Sequence, residues 1–277
     1  MKVVGIISLF NPENAFCKNI KKTYEIVDEL IIIDDSDFSH RYLLESILQE
    51  KNIYYEWNGC NIGLTKSINK GIKKAIERKA NWILMMDQDS FPENDIASIY
   101  MEYIKHNCTT QTAMLIPQYD YDRHPVNSID KVKEVHRGIL SGAFINVLLL
   151  AKIGPFDERF FTDGLDIEWS LRAKKKGFSL VECSKAVIHH TPAKTQYLTL
   201  FGKKIIGYGY SPLDRHYYQI KSGFLIFHEY HNVYILKSTI IKMLKSFFIY
   251  GDSKKYIKAN IDAFTDFKAG YYGKYDG

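Results

Sequence analysis

The sequence lacks a glycine-rich loop after its first predicted strand. The segment that ends the apolar run 2–10 reads "SLFNPENAF" and contains no glycine. Neither G-x-G-x-x-G nor G-x-x-x-x-G-K-[ST] is therefore available at this position. Dinucleotide dehydrogenases and P-loop enzymes hold diphosphate on such a loop, so both classes are disfavoured.

Paired cysteines and long apolar runs are also missing. The four cysteines lie far apart and form no C-x-x-C pair, which argues against a zinc site or a disulfide framework. A reducing cytoplasm is the simplest setting for such a chain. The most apolar stretch, 138–154, is interrupted by Ser141 and Asn146 and is shorter than the ~20 residues of a membrane span. The N-terminus reads as a first strand and not as a signal peptide.

Charge is mild overall but unevenly placed. The net charge is +5 over 277 residues, while the segment from Lys237 to Lys274 combines lysines with aromatics and has no arginine. Such a segment suits an anionic membrane surface. A solvated helical face explains the same pattern, and the two interpretations stay open.

Apolar runs alternate with helical patterns along the first half of the chain. Strands are predicted at 2–10, 29–36, 53–58 and 81–89, and helices at 14–27, 41–51 and 63–79. Near-continuous apolar strands belong to parallel sheets that are covered on both faces, so the pattern predicts an α/β fold. Further on we predict a helix at 95–107, a strand at 112–120, a helix at 167–176 and two helices before the C-terminus.

Three predicted strands end in polar side chains. These ends carry Asn11, the run Asp34 to Ser36, and the run Asp87 to Ser90. In open parallel sheets, ligands bind beyond the carboxyl ends of the strands, so these groups should line one crevice. Helix capping is the alternative for each acid taken singly. Asp87 and Asp89 together suggest Mg²⁺ or Mn²⁺, which prefer oxygen ligands.

Several segments, in this order and spacing, resemble one known family. They are "SLFNP", "IIIDDS", "NIGLTKSINKGI", "LMMDQDS", "SGAFIN", "IGPFDERFFTDGLDIEWSLRAKKKGF", "VIHH" and "SPLDRHYYQIKSG". The chain resembles the inverting glycosyltransferases of family 2, which have the GT-A fold, and among them the bacterial rhamnosyltransferase-type enzymes. The resemblance implies a Rossmann-like, mostly parallel sheet with flanking helices over residues 1–225. Residues 226–277 would form a basic, aromatic helical extension.

The resemblance also implies a metal site. "DQDS" matches the D-x-D element of the family, with Asp89 as the metal ligand and Asp87 near the nucleotide sugar. His190 would be the remote ligand, because the family often places a histidine after this later strand. His189 is the alternative, since neighbouring strand residues face opposite sides and only one of the two should point into the crevice.

A second set of residues would bind the nucleotide diphosphate. By resemblance, Asp34 contacts the base or ribose, and Lys66 either faces the diphosphate or stays in solvent. In the late segment, Lys221 and Ser222 replace the Arg-Asn pair of the family pattern, which leaves a diphosphate contact by Lys221 open. The other residues implied for this pocket are Phe10, Asn11, Asn61, Gly63, Arg215 and Tyr218.

The catalytic base is implied by a departure from the usual family pattern. Leu165 stands where most members carry the Glu of an "ED" pair, and the stretch matches the D-x-x-D-x-E-W form of the rhamnosyltransferase-like branch. Asp166 is then the expected base. Asp163 either contacts the acceptor or caps the helix. Glu168 and Trp169 are expected on the acceptor side, with a core position as the alternative for Trp169.

The implied function is metal-dependent, inverting glycosyl transfer in cell-surface polysaccharide synthesis, such as capsule formation. The first expected donor is dTDP-rhamnose and the second a UDP-hexose, with a glycan or lipid-linked acceptor. A cytoplasmic enzyme is expected, at the inner face of the plasma membrane or free of it. Nucleic acid is not an expected partner, and the C-terminal helices would contact either membrane or a second subunit. A sugar nucleotidyltransferase and a non-catalytic glycan-binding module are the remaining alternatives.

Overall fold

The computed structural model describes residues 1–107, 110–120, 131–189, 195–200, 203–248, 250 and 252–277. For 195–200 and 203–209 it describes the backbone. Contacts divide the chain into two compact units. The first, which we call the sheet unit, comprises Met1–Asp157 and Asp166–Thr191. The second, the helical unit, comprises Glu158–Leu165 and Pro192–Gly277.

The sheet unit is built on one large sheet that confirms the predicted α/β fold. Its first four long strands are parallel, in the spatial order β3-β2-β1-β4. β8 runs antiparallel between β4 and β6, β6 is parallel to β9, and β5 and β7 each pair with β9 in antiparallel fashion. The strands are β1 (Val3–Leu9), β2 (Glu29–Asp34), β3 (Ile53–Trp57), β4 (Trp82–Asp87), β5 (Phe91–Pro92), β6 (Thr112–Asp120), β7 (Val132–Val135), β8 (Phe144–Asn146) and β9 (Ser179–His189).

Five helices accompany the sheet in the described residues: four lie where the sequence pattern predicts helices, and one, over 147–153, was not predicted. They are α1 (Phe16–Tyr24), α2 (Leu64–Glu77), α3 (Ile96–His106), α4 (Val147–Ile153) and α5 (Leu165–Lys175). The helix predicted at 41–51 is wrong: Arg41–Leu44 forms a short 3₁₀ helix and turns follow. Leu44 and Ile47 are both buried, and the Ile47 N–H donates to the Leu44 carbonyl at 3.0 Å. A three-residue repeat brings both side chains to the core, which an α-helix would not do as directly.

The described residues of the helical unit form three helices, where two were predicted: α6 (Leu213–Tyr230), α7 (Val233–Phe248) and α8 (Ser253–Ala269). The unit also holds the antiparallel strands β10 (Thr195–Leu200) and β11 (Lys203–Gly209). α6 ends at His231, whose φ of 50° is left-handed. The domain boundary expected after residue 225 lies inside α6, a continuous helix. Among the described helices, none is long and apolar enough to cross a bilayer.

Candidate active site

The crevice beyond β1, β2 and β4 collects the polar residues expected there. Asp34 pairs in register with Leu9, and Ser8 pairs with Asp87, so the three strands end side by side. The site is therefore placed by parallel pairing of buried apolar strands. The polar groups follow where those strands leave the core.

Asp34 is fully buried and its oxygens are taken by donors from the protein. Oδ2 accepts from the Tyr55 hydroxyl at 2.6 Å and from the His40 N–H at 2.8 Å, and Oδ1 accepts from the Ser36 N–H at 3.1 Å. Burial, followed by this bond, raises the pKa of Tyr55 to about 12. With no exposed surface, Asp34 shapes the pocket wall. The expected contact of Asp34 with the nucleotide stays a prediction.

Asp35, which the sequence analysis did not single out as a site residue, organises the turn before α2. Its oxygens accept from the Ile62 N–H at 2.9 Å and the Gly63 N–H at 3.0 Å. Gly63 has φ of 99°, which an L side chain rarely adopts, and it is also bonded to the Asn61 side chain. Lys66 lies exposed in the first turn of α2. Asn61, Gly63 and Lys66 thus share one turn, as predicted from "NIGLTKS".

Gln88, between the two acids of "DQD", joins the ends of β1 and β4. Its amide oxygen accepts from the Phe10 N–H at 2.8 Å, and its amide nitrogen donates to the Phe10 carbonyl at 3.0 Å. The next residue, Asn11, has a left-handed φ of 44°, and its N–H donates to Ser36 at 2.7 Å. The exposed Phe10 and Asn11 are therefore held at the rim of the pocket by Gln88 and Ser36.

Asp87 and Asp89 are partly exposed at the end of β4. The Asp87 N–H donates to the Ser141 hydroxyl at 3.3 Å, and the Ser90 N–H closes the turn onto the Asp87 carbonyl at 3.2 Å. Two carboxylates plus the oxygens of a bound diphosphate form a set that Mg²⁺ and Mn²⁺ accept. Within the described ranges, no three His, Cys, Asp or Glu side chains are grouped to hold a cation unaided. The chemistry of this pair fits a cation that binds together with phosphate.

The histidine pair is described only as far as His189. Phe91 pairs with His189 across β5 and β9, and their rings lie 5.0 Å apart. The His189 ring nitrogens lie 3.3 Å from Asp120 and 3.7 Å from Glu93. His189 therefore already has two acidic neighbours, Asp120 and Glu93. The expected metal ligand His190 lies outside the described residues.

Tyr119, at the end of β6, lies within electrostatic range of Asp87 and Asp166, and also of Glu182. Burial raises the pKa of Tyr119 well above its usual range, and the negative charges of Asp87 and Asp166 raise it further. The Tyr119 hydroxyl donates to the Ser141 carbonyl at 2.8 Å. Ser141 is the residue that also receives the Asp87 N–H. Tyr119 is therefore a further candidate residue of this crevice. Its position could have been predicted from the polar end of "TAMLIPQYD".

Glu168 and Trp169 belong to the interior, which for Trp169 is the core position left open above. Glu168 forms a two-bond ion pair with Arg172, from Nε to Oε1 and from Nη2 to Oε2, both at 2.9 Å. Trp169 is fully buried, and its indole N–H donates to the Gly154 carbonyl at 3.0 Å. Both residues secure α5 and so fix the helix that presents Asp166.

Three further candidates lie in the helical unit. Asp163 accepts from the half-exposed Arg215 at 3.4 Å, and burial raises the pKa of Asp163 against the lowering effect of Arg215. Tyr218 is buried and stacks on Phe161 at 5.0 Å, which places it in the core of the helical unit, and its expected contact with the nucleotide stays a prediction.

Lys221, the fourth candidate of the helical unit, is buried as well. Its ammonium group is buried, lies 3.1 Å from the Tyr217 hydroxyl, and has a pKa lowered to about 8 by burial.

Comparisons with known proteins agree with this architecture. Residues 6–157 match the family model described as glycosyl transferase family 2. A relative from Shigella flexneri, "dTDP-rhamnosyl transferase RfbF", is 24% identical over 296 residues, covering 95% of this chain and 94% of the relative.

Solved structures show the same fold at low identity. TarS of S. aureus has a TM-score of 0.58 at 15% identity, over 96% of this chain and 48% of TarS. "GalNAc-T7 with UDP, GalNAc and Mn2+" has a TM-score of 0.61 at 15% identity, over 97% of this chain and 56% of that one. The chain thus spans about half the length of these two solved chains.

Proposed function

The chain belongs to glycosyl transferase family 2 and is a glycosyltransferase, and we propose that it moves rhamnose from dTDP-rhamnose to a glycan or lipid-linked acceptor with inversion. The observation that carries this proposal is that the end of β4 and helix α5 both bond to the segment 138–141. The Asp87 N–H donates to the Ser141 hydroxyl at 3.3 Å, and the Gly138 N–H donates to the hydroxyl of Ser170 on α5 at 3.1 Å. The D-x-D acids lie at the end of β4, and the expected base lies in the first turn of α5. An inverting transferase needs one acidic site for the leaving diphosphate and a separate carboxylate for the acceptor.

Asp166 is the proposed base. It lies in the first turn of α5, and its Oδ1 accepts from the Ile167 N–H at 2.8 Å. A helix N-terminus favours the charged carboxylate, so the group is ready to take a proton. In the reaction, the acceptor oxygen bonds to C1 of the donor sugar while its proton passes to Asp166. The bond from C1 to the diphosphate oxygen breaks, and the diphosphate leaves with the electron pair.

Asp89, with Asp87 beside it, is the proposed carboxylate set for Mg²⁺ or Mn²⁺. When bound, such a cation supplies positive charge to the leaving diphosphate. Other residues of the chain hold the loops around this site in place. Asp35 fixes the turn of Asn61 and Gly63, and Gln88 fixes Phe10, so the pocket wall is set before the donor arrives.

The donor preference is supported by the Shigella relative, which is named a dTDP-rhamnosyl transferase and aligns over nearly all of both chains. A UDP-hexose is the second candidate, because a structural neighbour with the same fold was solved with UDP and GalNAc. We place the acceptor on a growing surface polysaccharide at the cytoplasmic side of the membrane.

A donor screen tests the proposal. Release of nucleotide from dTDP-rhamnose and from a panel of UDP-hexoses would be measured with Mn²⁺, with Mg²⁺ and with chelator. We expect metal-dependent release of dTDP that increases when acceptor is added. If a UDP-hexose were turned over and dTDP-rhamnose were not, the donor would be the UDP-hexose. Turnover that persists in chelator would remove the metal role of Asp87 and Asp89.

A further inference from the structure

Helix α7 exposes six of its large apolar side chains, while its two buried residues are small and polar. The exposed side chains include Tyr234 and Phe248, which are 87% and 82% exposed. Thr239 and Ser246, in contrast, are buried. Helices of soluble domains have the reverse arrangement, with the apolar stripe facing the core. We define the α7 face by six exposed side chains: Tyr234, Ile240, Ile241, Leu244, Phe247 and Phe248.

The polar side of α7 is locked against the rest of its unit. A Cβ atom added to Gly223 of α6 would lie 1.9 Å from the Thr239 hydroxyl, so the two helices touch at this glycine. Ser246 accepts from the Asn260 amide at 2.9 Å, which joins α7 to α8. α7 therefore cannot rotate to bury its apolar face without breaking both contacts.

The members of the α7 face recur along one side of the helix. Tyr234, Ile241 and Phe248 are seven residues apart, and Ile240, Leu244 and Phe247 lie between them at helical spacing. A contiguous apolar patch of this kind marks a surface that is covered in the working protein.

Charge decides between the occupants of the α7 face. α7 contains Lys237, Lys242 and Lys245 and no acidic residue. Lys237 and Lys245 are exposed, and Lys242 interacts with Asp163. Two copies that met through this face would bring lysines against lysines. An anionic lipid surface offers the opposite charge and accepts aromatic and aliphatic side chains at its boundary.

We propose that the α7 face docks this protein on an anionic bilayer surface, with α7 lying in the plane of the membrane. Exposed lysines attract the headgroups, and the apolar side chains enter the acyl boundary. The composition of the C-terminal segment indicated contact with a membrane, and α7 is the helix that would make this contact. The docking does not depend on the donor or acceptor proposed above.

Vesicle co-sedimentation of the full chain tests the proposal. The probes are phosphatidylcholine vesicles with and without about one third phosphatidylglycerol. We expect the wild type to partition into the anionic vesicles about thirtyfold or more strongly than into the neutral ones, and less strongly as salt rises. Failure of the wild type to bind anionic vesicles would overturn the proposal.

Two variants separate the apolar and the charged contributions. The triple variant Ile241→Ser, Leu244→Ser, Phe248→Ser should lower partition into anionic vesicles about a hundredfold or more. The double variant Lys237→Gln, Lys245→Gln should lower it about twentyfold and leave the weak binding to neutral vesicles unchanged. The matched control is Leu148→Ser, which replaces a 76% exposed apolar residue of α4 and should bind like the wild type.

Further outcomes are equally decisive. Undiminished vesicle binding by the triple variant would overturn the proposal, and circular dichroism would show whether the triple variant folds. If it does not fold, the single variant Phe248→Ser should show about a tenfold loss, and full binding by it counts against the proposal. Sedimentation equilibrium that finds a dimer abolished by Phe248→Ser, without vesicle binding by the wild type, would assign the face to a second copy.

Discussion

The two units of the chain use polar side chains in opposite ways. In the sheet unit, polar groups collect at the ends of β1, β2 and β4, and many of their bonds go to loop backbone, as Asp35 bonds Gly63. In the helical unit they join helices to one another. His216 lies 2.9 Å from Asn260, Asn260 donates to Ser246, and Tyr217 donates to Asp266 at 2.5 Å.

This difference explains where each unit can meet a ligand. The sheet unit keeps Asp87, Asp89 and Asp166 partly exposed at one edge, where a phosphate, a cation and a hydroxyl can reach them. In the helical unit, many polar groups bond to one another between the helices, and α7 exposes apolar side chains. We therefore assign chemistry to the first unit and docking to the second.

The largest effect is expected from Asp89→Ala, which removes a proposed metal ligand together with one long hydrogen bond, from the Ser90 hydroxyl to Oδ1 at 3.5 Å. The apparent affinity for dTDP in the presence of Mn²⁺ should fall at least about a hundredfold. Mutating a residue that only bonds to a metal ligand already lowers metal affinity about 10–100-fold. Thermal shift with dTDP and Mn²⁺ measures this loss. Asp95→Ala, which removes the cap of α3, is the control that should keep metal-dependent binding. Unchanged Mn²⁺ dependence in Asp89→Ala would rule out the ligand role.

Glu168→Ala should affect stability, because Glu168 is a structural acid within the catalytic unit. The buried Arg172 pair would lose one partner, at a cost of about 3 kcal/mol in the free energy of unfolding. Urea unfolding provides the measurement. Glu77→Ala, in the more exposed pair with Lys74, is the matched control and should cost less than about 0.5 kcal/mol. Equal costs for the two variants would contradict the structural role.

Gln88→Ala tests whether the pocket wall is set in advance. It removes both bonds to the Phe10 backbone, so the KM for the donor should rise about tenfold while kcat changes little. Gln88→Glu retains an acceptor for the Phe10 N–H but no donor for its carbonyl, and an intermediate KM is expected. Steady-state kinetics with donor varied decide the matter, and a fall in kcat at unchanged KM would refute a positioning role.

The smallest effect is a pH dependence in the helical unit. Burial lowers the pKa of His216 below its usual 6.5. The unfolded chain then binds more protons than the folded one between the two pKa values, so stability is full above about 6.5 and falls as the pH drops through this window. The slope cannot exceed about 1.4 kcal/mol per pH unit. Urea unfolding from neutral to mildly acidic pH should show this decline and His216→Gln should flatten it; parallel curves would contradict it.

Local pattern was enough to predict the strands and the acids that follow them. Continuous apolar runs identify β1, β2 and β4, and parallel pairing then brings the polar ends of these strands together without further information. The burial of Asp34 and Tyr218 was not predictable in this way. Asp34 is enclosed by Tyr55, which lies on the neighbouring strand, and Tyr218 is covered by the distant Tyr275. Such closure depends on tertiary contacts between residues far apart in sequence.

The error at 41–51 and the α7 face have a related cause. An amphipathic pattern predicts which side chains share a face, but not whether the backbone follows an α or a 3₁₀ path to bury them. On α7 the contacts at Gly223 and Asn260 select the small polar face for burial. Composition alone could indicate a basic, aromatic segment but not the orientation of its helix.

The central claim is that Asp166 is the base of a transferase whose donor site lies at the end of β4. Its most direct test compares Asp166→Asn with the wild type in turnover of dTDP-rhamnose with acceptor and in thermal stabilisation by dTDP with Mn²⁺. Loss of the base should lower kcat about 10²–10⁴-fold and leave the stabilisation nearly unchanged. Turnover at the wild-type rate by Asp166→Asn would contradict the account.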